Sequence, residues 1–196
     1  MKKKMNNGPK LWADLIKQAP KGSVLMGGAV VDYLMGVIPK DYDIFHTYKE
    51  GMPKNLPPWW KYLEVVDEEA HGEEYFEGQN PDGNHSIGSI YNYLVSHKYR
   101  VQLIGVFYDD PKEHFKNFDH SLTLGRYTQN GLFIHDKVFR SIEGEYIEYV
   151  SKNKSAKAIA RSMDRAKAKA QKYGFVDPSY KNFGGNGIQV VEGFDL

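Results

Sequence analysis

The chain of 196 residues contains no cysteine, and this absence excludes disulfide bonds and cysteine-ligated zinc. No apolar run approaches the roughly 20 residues of a membrane-spanning helix, so we expect no membrane partner. The seven histidines include no His-x-x-x-His pair, which argues against a helical zinc site. The N-terminal segment is basic and amphipathic rather than apolar, so we predict a cytoplasmic protein without an export signal.

Charge is unevenly distributed, although the net charge is only +1. Glu64 to Glu77 contains seven acidic residues and no lysine or arginine. Ser151 to Tyr173 contains eight basic residues and one acid in an alanine-rich run, which predicts a cationic helix. Four apolar residues at helical spacing are expected to form its packed stripe: Ala156, Ile159, Ala160 and Met163.

The cations on the rest of this helix have two interpretations. They form either a solvated face or a surface that attracts phosphate groups, of nucleic acid or of a nucleoside triphosphate. The candidate nucleic-acid-binding residues are Lys157, Arg161, Arg165, Lys169 and Lys172.

Strand and helix signals are mixed along the chain without a regular βαβ alternation. They predict a helix over 10–18, a helix over 111–118, and two hairpins, one around 96–98 and one at Asn130-Gly131. We therefore predict an α+β fold with a mixed sheet, flanking helices and a C-terminal basic helix. Residues 1–150 are expected to form the main domain, and the basic helix and Gly- and Asn-rich tail of 151–196 are expected to pack on it.

The stretch from Val24 to Phe45, VLMGGAVVDYLMGVIPKDYDIF, combines an apolar strand, a Gly-Gly turn, a short helix and a second strand. Gly27 and Gly28 let backbone N–H groups approach a polyphosphate closely. Side chains alternate along a strand, so Asp41 and Asp43 lie on one face, where carboxylates can bind hard divalent cations. Because such cations bridge phosphates bound beside them, the stretch predicts a metal-and-triphosphate site.

The motif GGAVVDYLMG followed by KDYDIF resembles the start of the DNA polymerase β-like nucleotidyltransferase superfamily. Within it, Gly27 to Asp32 is similar to the Gly-Gly-x-Val-Arg-Asp pattern in the head domain of CCA-adding enzymes and bacterial poly(A) polymerases. The runs VQLIGVFYDDPKEHFKNFDHSLTLGRY and ARSMDRAKAKAQKYGF also resemble small stand-alone nucleotidyltransferase-like proteins common in bacteriophage genomes, which implies the host cytoplasm as the location.

This resemblance implies transfer of a nucleoside monophosphate from an NTP to an acceptor hydroxyl, with release of pyrophosphate. It implies that Asp41 and Asp43 hold Mg²⁺ or Mn²⁺. The nucleotide would be bound by Gly27, Gly28, Asp32, Lys40 and Gln102. The leading acceptor is an RNA end, tRNA first, and a protein hydroxyl is the next. For Asp32, capping or solvating its own helix is the alternative role.

The sequence departs from the family pattern at two positions. Gln102 stands where a third carboxylate is expected, and an amide cannot accept a proton. We predict Asp119 as the substitute catalytic acid, with Asp109 or Asp110 as alternatives. Val31 stands where the pattern has arginine, and the segment after Val150 is too short for a large tRNA-measuring body. A simpler transfer is therefore favoured over full CCA synthesis.

Three hypotheses follow from the sequence. The first is a metal-dependent nucleotidyltransferase. The second is a catalytically weak or inactive family member that works as a nucleic-acid- or protein-binding module, such as a phage modulator of host function. The third is an unrelated globular interaction protein, which requires that the Gly27-Gly28 turn and the two aspartates do not face each other.

Overall fold

A computed structural model describes residues 8–47, 87–96, 99–151 and 156–183. The acidic segment 64–77 and most of the Gly- and Asn-rich tail lie outside the described residues. No helix in the described part of the chain is long and apolar enough to cross a membrane. The helices are α1 (Gly8–Gln18), α2 (Gly28–Leu34), α3 (Asp136–Glu143) and α4 (Ala156–Tyr173). The strands are β1 (Val24–Met26), β2 (Asp41–Thr47), β3 (Ile87–Ser96), β4 (Tyr99–Val106), β5 (Gly125–Thr128), β6 (Gly131–Ile134), β7 (Tyr146–Glu148) and β8 (Ser179–Lys181).

Six of the strands form one mixed sheet in the order β3-β4-β2-β1-β5-β6. β2 and β4 are parallel, and the other neighbouring pairs are antiparallel. β7 and β8 form a separate parallel pair. The predicted α+β fold, with a mixed sheet and flanking helices, is confirmed.

The predicted N-terminal elements and both hairpins are present. Trp12, Leu15 and Ile16 recur at the helical period and bury one side of α1. β3 pairs with β4, as the sequence predicts. β5 pairs with β6 across the Asn130-Gly131 turn, where the glycine takes a φ of 120° that side-chain-bearing residues rarely adopt.

The second half of the chain differs from the prediction in two ways. The helix expected over 111–118 is a 3₁₀-helix, Pro111–Asn117, whose first turn is capped by the Asp110 carboxylate accepting from the Lys112 N–H. α3, β7 and β8 were not predicted. β7 and β8 have three residues each, which is too short to show the alternation that identifies a strand.

The two faces of the large sheet have different coverings. α1 and α2 cover one face and enclose a core that includes Leu25, Ile44 and Leu103. On the opposite face, Met26 and Phe45 pack against aromatic rings of the 3₁₀-helix segment. Asp41 and Asp43 lie on this second face, because they alternate with the buried Tyr42 and Ile44 of the first.

A third cluster joins the C-terminal helix to the rest of the chain. It contains Leu122 and Ile147 together with Ile159 and Ala166 of α4. Residues on both sides of position 150 therefore share one core. The division of the chain at residue 150 stays a prediction.

The predicted packed stripe of α4 is wrong in part. Ala156 and Ala160 are exposed, and Met163 is only half-buried. The buried positions are Ile159, Ser162, Ala166 and Ala170. Alanines lie on every side of this helix, so hydrophobicity alone does not fix its rotation. Small residues at Ser162, Ala166 and Ala170 let the helix approach the core closely.

We expect Gly125→Ala to lower the free energy of unfolding by about 1–3 kcal/mol, as overpacked core substitutions do. An added methyl group would lie 2.6 Å from Val30 Cγ1, where α2 crosses β5. Urea denaturation measures the loss. Val30→Ala removes Cγ1 but keeps Cβ, which would lie 2.8 Å from the added methyl group, so the double variant should regain part of the loss and be more stable than the sum of the two single effects predicts. Strictly additive losses would contradict this contact.

Candidate functional site

The Gly27-Gly28 turn directly faces Asp43. β1 pairs with β2 so that Met26 is opposite Asp43, and the turn follows at once. Gly27 has φ 99° and ψ −151°, a conformation essentially restricted to glycine. A methyl group on Gly27 would lie 3.7 Å from Asp43 Oδ2. The turn and the carboxylate therefore border the same space. The hypothesis of an unrelated protein required that they do not face each other, and this requirement is not met.

The parallel pairing of β2 and β4 determines the neighbours of the two aspartates. Arg100 is paired with Asp41, and Gln102 with Asp43. Register partners on adjacent strands point to the same face, so Gln102 lies beside Asp43, as the sequence predicts. No group of three or more His, Cys, Asp or Glu side chains able to hold a metal ion occurs among the described residues.

Asp43 is held in an unfavourable environment for a charge. Burial, and then repulsion from Asp41, raise the pKa of Asp43 to about 7, although Arg100 and Lys169 act in the opposite direction. Its Oδ1 atom is buried and has no hydrogen-bond partner among the described residues. A buried acceptor without a partner costs free energy, so this atom is available to a ligand.

Asp32 does not cap its own helix but binds α4. Its carboxylate is almost fully buried and accepts hydrogen bonds from Lys169 Nζ at 2.6 Å, Lys172 Nζ at 2.7 Å and the Tyr173 hydroxyl at 2.6 Å. The N-cap position of α2 is Gly27, which has no side chain to cap the helix. Burial and the Asp32 charge both raise the pKa of Tyr173, which keeps its hydroxyl a donor.

Lys169 lies directly over the glycine turn. Its Nζ atom is 3.5 Å from the Gly28 carbonyl oxygen. A methyl group on Gly28 would lie only 2.7 Å from the same Nζ atom. Burial lowers the pKa of Lys169, and the Asp32 carboxylate opposes this effect. The predicted nucleic-acid-binding residue Lys169 is thus placed next to the predicted phosphate-binding turn.

Asp119, the predicted third acid, is paired with Arg165. Its Oδ2 atom accepts from Arg165 Nε at 3.1 Å and also from Nη2. Burial alone would raise the pKa of Asp119, but His120 and Arg165 lower it overall. The charged groups that shift the pKa of Asp43 are Asp41, Arg100 and Lys169. The catalytic role of Asp119 stays a prediction.

The other candidate residues are more dispersed. Lys40 is exposed just before β2, where its carbonyl oxygen accepts from the Arg100 N–H at 3.3 Å. Lys157 and Arg161 lie in the first half of α4. Asp110 forms an ion pair with Lys112, and the Asp109 carbonyl accepts from the Thr47 hydroxyl.

Two residues of the site were missed at the level of sequence. Arg100 precedes Gln102 by two positions on the same strand, so the strand period alone would have placed it on the site face. Tyr173 lies 141 positions from Asp32, and no local pattern connects them.

No family model and no curated protein matches the chain. Solved structures do resemble it. A CCA-adding enzyme in complex with ATP aligns with a TM-score of 0.51 and 13% identity, over 85% of this chain and 39% of that one. The Thermotoga maritima CCA-adding enzyme complexed with tRNA aligns at 0.50 and 12%, over 88% and 39%. A CCA-adding enzyme in an apo form aligns at 0.50 and 14%, over 85% and 38%.

The chain spans about two fifths of the length of these enzymes. At such low identity the likeness concerns the arrangement of helices and strands. The mixed sheet with flanking helices described above is consistent with the nucleotidyltransferase fold of these proteins, and the chain therefore has a nucleotidyltransferase-like fold.

Proposed function

We propose that the protein transfers a nucleoside monophosphate from an NTP to an acceptor hydroxyl in a metal-dependent reaction. The observation that carries the proposal is the position of Asp43, whose Oδ2 atom would lie 3.7 Å from a methyl group placed on Gly27 and which shares a strand face with Asp41. A glycine turn that can bind phosphates through its backbone and a pair of carboxylates beside it are the two halves of a metal-and-triphosphate site. The nucleotidyltransferase-like fold supports the same reaction class.

The donor set at the two aspartates suits a divalent cation. Asp41 and Asp43 repel each other, and Oδ1 of Asp43 is buried without a partner among the described residues. Both conditions are relieved when a hard cation takes the carboxylate oxygens as ligands. Asp41 and Asp43 would hold Mg²⁺ or Mn²⁺, which, when bound, supplies charge stabilisation to the attacking and leaving oxygens.

The chain's own residues then have separate tasks. The turn orients the triphosphate, so that the acceptor oxygen forms a bond to the α-phosphorus while the bond to the β-phosphate oxygen breaks. Pyrophosphate leaves with that oxygen. Gln102 cannot accept the proton of the hydroxyl, so within this row of side chains Asp41 and Asp43 are the groups able to receive it.

We propose an RNA end as the acceptor, with tRNA first and a protein hydroxyl next. One enzyme of similar fold is complexed with tRNA, and α4 is rich in cations. Among the candidate cations, Arg165, Lys169 and Lys172 bind carboxylates of their own chain. This pairing reduces the charge that α4 can offer to RNA.

The second candidate function is a binding module that has lost catalytic power. The observation that favours it is Gln102 beside Asp43, together with the lack of a three-membered group of metal-binding side chains in the described ranges. Such a protein would bind nucleotide or a macromolecular partner without transferring a group.

Incubation of the full chain with each α-labelled NTP, Mn²⁺ or Mg²⁺ and total tRNA should label RNA. Asp43→Asn keeps the size of the side chain but removes the charge that binds the cation, so labelling should fall by about a hundredfold or more. Asp14→Asn, on the exposed side of α1, is the matched control and should retain activity. Label in protein instead of RNA would identify a protein acceptor. No labelling from the folded protein would favour the binding module, and labelling that needs no metal would contradict the role of Asp41 and Asp43 as metal ligands.

The contribution of Asp43 to the free energy of unfolding should fall as the pH rises from 4 to 8 in metal-free buffer, whereas His46, His114 and His120, whose pKa values burial lowers, contribute in the opposite direction. The folded protein holds a proton on Asp43 up to a pKa of about 7, whereas the ordinary value is 3.8. Between these values Asp43 binds more protons in the folded state than in the unfolded state, so a rising pH weakens the contribution of this group to stability. Asp43→Asn removes this dependence and should be more stable than the wild type at pH 8, by on the order of 2 kcal/mol.

Urea denaturation at pH 5 and pH 8 measures both effects. Saturating Mg²⁺ should restore stability at pH 8 to the wild type but not to Asp43→Asn. Asp14→Asn should follow the wild type throughout. If the wild type and Asp43→Asn differ equally at both pH values, Asp43 titrates normally and the account of its environment fails.

A further inference from the structure

The cluster around Asp32 carries an excess of positive charge. One carboxylate binds two lysine ammonium groups, at 2.6 Å and 2.7 Å. The Tyr173 hydroxyl also donates to it and stays neutral, because burial and Asp32 raise its pKa. One carboxylate and two ammonium groups leave a net charge of +1 at a nearly buried position beside the glycine turn.

Lys169 has one donor to spare. An ammonium group has three N–H donors. One is used by Asp32 Oδ1 and a second points to the Gly28 carbonyl oxygen at 3.5 Å. The Lys169 Nζ atom also lies 5.5 Å from the centre of the Tyr173 ring, but no third hydrogen bond from it occurs among the described residues, and the side chain is 19% exposed. Solvent, or a ligand, can therefore reach the remaining donor.

Lys169 is also within electrostatic range of both metal-site candidates. The charge of Lys169 lowers the pKa of Asp43, and the charge of Asp41 raises the pKa of Lys169. Lys172 binds the other oxygen of Asp32 and is absent from the groups that act on Asp43. The two lysines therefore share one carboxylate, but only Lys169 contacts the Gly28 region.

We propose that Lys169 is a phosphate ligand of the site and that Asp32 is the residue that positions it there. This inference rests on the proposed function and names a binding group for the triphosphate. α2 itself supplies no cation at the turn, because Gly28–Leu34 contains no lysine or arginine. The C-terminal helix thus completes the phosphate-binding side of a site whose metal-binding side lies on β2.

The test uses the full chain and inorganic tripolyphosphate, which carries the phosphates without a base or ribose. Isothermal titration calorimetry in the presence of Mg²⁺ compares the wild type with Lys169→Met, Lys169→Arg and Lys172→Met. Lys169→Met should weaken binding about tenfold or more, as loss of a charge-assisted hydrogen bond does. Lys169→Arg should retain affinity within about threefold, since it keeps the charge.

Lys172→Met is the matched control. Like Lys169→Met, this variant removes one ammonium group from Asp32. Its melting temperature therefore measures how much the loss of one such ion pair destabilises the fold. Its tripolyphosphate affinity should fall by clearly less than that of Lys169→Met, because Lys172 binds Asp32 Oδ2 whereas Lys169 also contacts Gly28. Equal affinity of Lys169→Met and the wild type would overturn the proposal, and so would equal losses in Lys169→Met and Lys172→Met.

The labelling assay separates this inference from the proposed function. Transfer that persists in the wild type while Lys169→Met binds tripolyphosphate normally overturns the inference alone. Tripolyphosphate binding that depends on Lys169, without transfer from any NTP, supports the inference and overturns the transferase. A wild type that binds no tripolyphosphate overturns the role of Lys169.

Discussion

Burial of Asp43, together with repulsion from Asp41 on the same strand face, is the constraint on which the site depends. The shared face of Asp41 and Asp43 follows from the strand period. The burial of Asp43 depends on the rest of the sheet, and its Oδ1 atom has no hydrogen-bond donor among the described residues. A carboxylate in this position resists ionisation, and its pKa of about 7 expresses that resistance. Proteins retain such environments where a ligand makes use of them. Here the ligand suited to the atoms is a hard cation.

The cationic C-terminal helix has a different role from the one its composition first indicates. Two carboxylates outside α4 form ion pairs with its cations. Asp32 binds Lys169 and Lys172, and Asp119 binds Arg165. The Asp32 carboxylate is nearly fully buried, and removing a partner of a buried charge is strongly destabilising, so its contacts with Lys169 and Lys172 help to fix where α4 lies. A charge run that resembles a nucleic-acid surface is therefore in part a means of attaching the helix. The same contacts bring an ammonium group to the glycine turn.

Much of the fold was accessible from sequence because the signals were local. The Gly-Gly turn between an apolar strand and a helix, the Asp-x-Asp alternation and the Asn-Gly hairpin each depend on a few neighbouring residues. The rotation of α4 was not accessible, since alanine occurs on all its sides and the decisive contacts come from Asp32, 137 positions from Lys169. β7 and β8 were missed because three residues carry no period. The pairing of Asp119 with Arg165 spans 46 positions and has no local signature either.

The claim that Asp41, Asp43 and the Gly27-Gly28 turn form one metal-and-triphosphate site is tested most directly by crystallography. In crystals grown with Mn²⁺ and a non-hydrolysable NTP analogue, the anomalous signal of manganese locates the metal directly, independently of any assumption about its ligands. The account predicts a manganese peak coordinated by Asp41 and Asp43, with the triphosphate against the turn and Lys169 in contact with it. Manganese absent from these carboxylates, or a nucleotide bound at another surface, would contradict it.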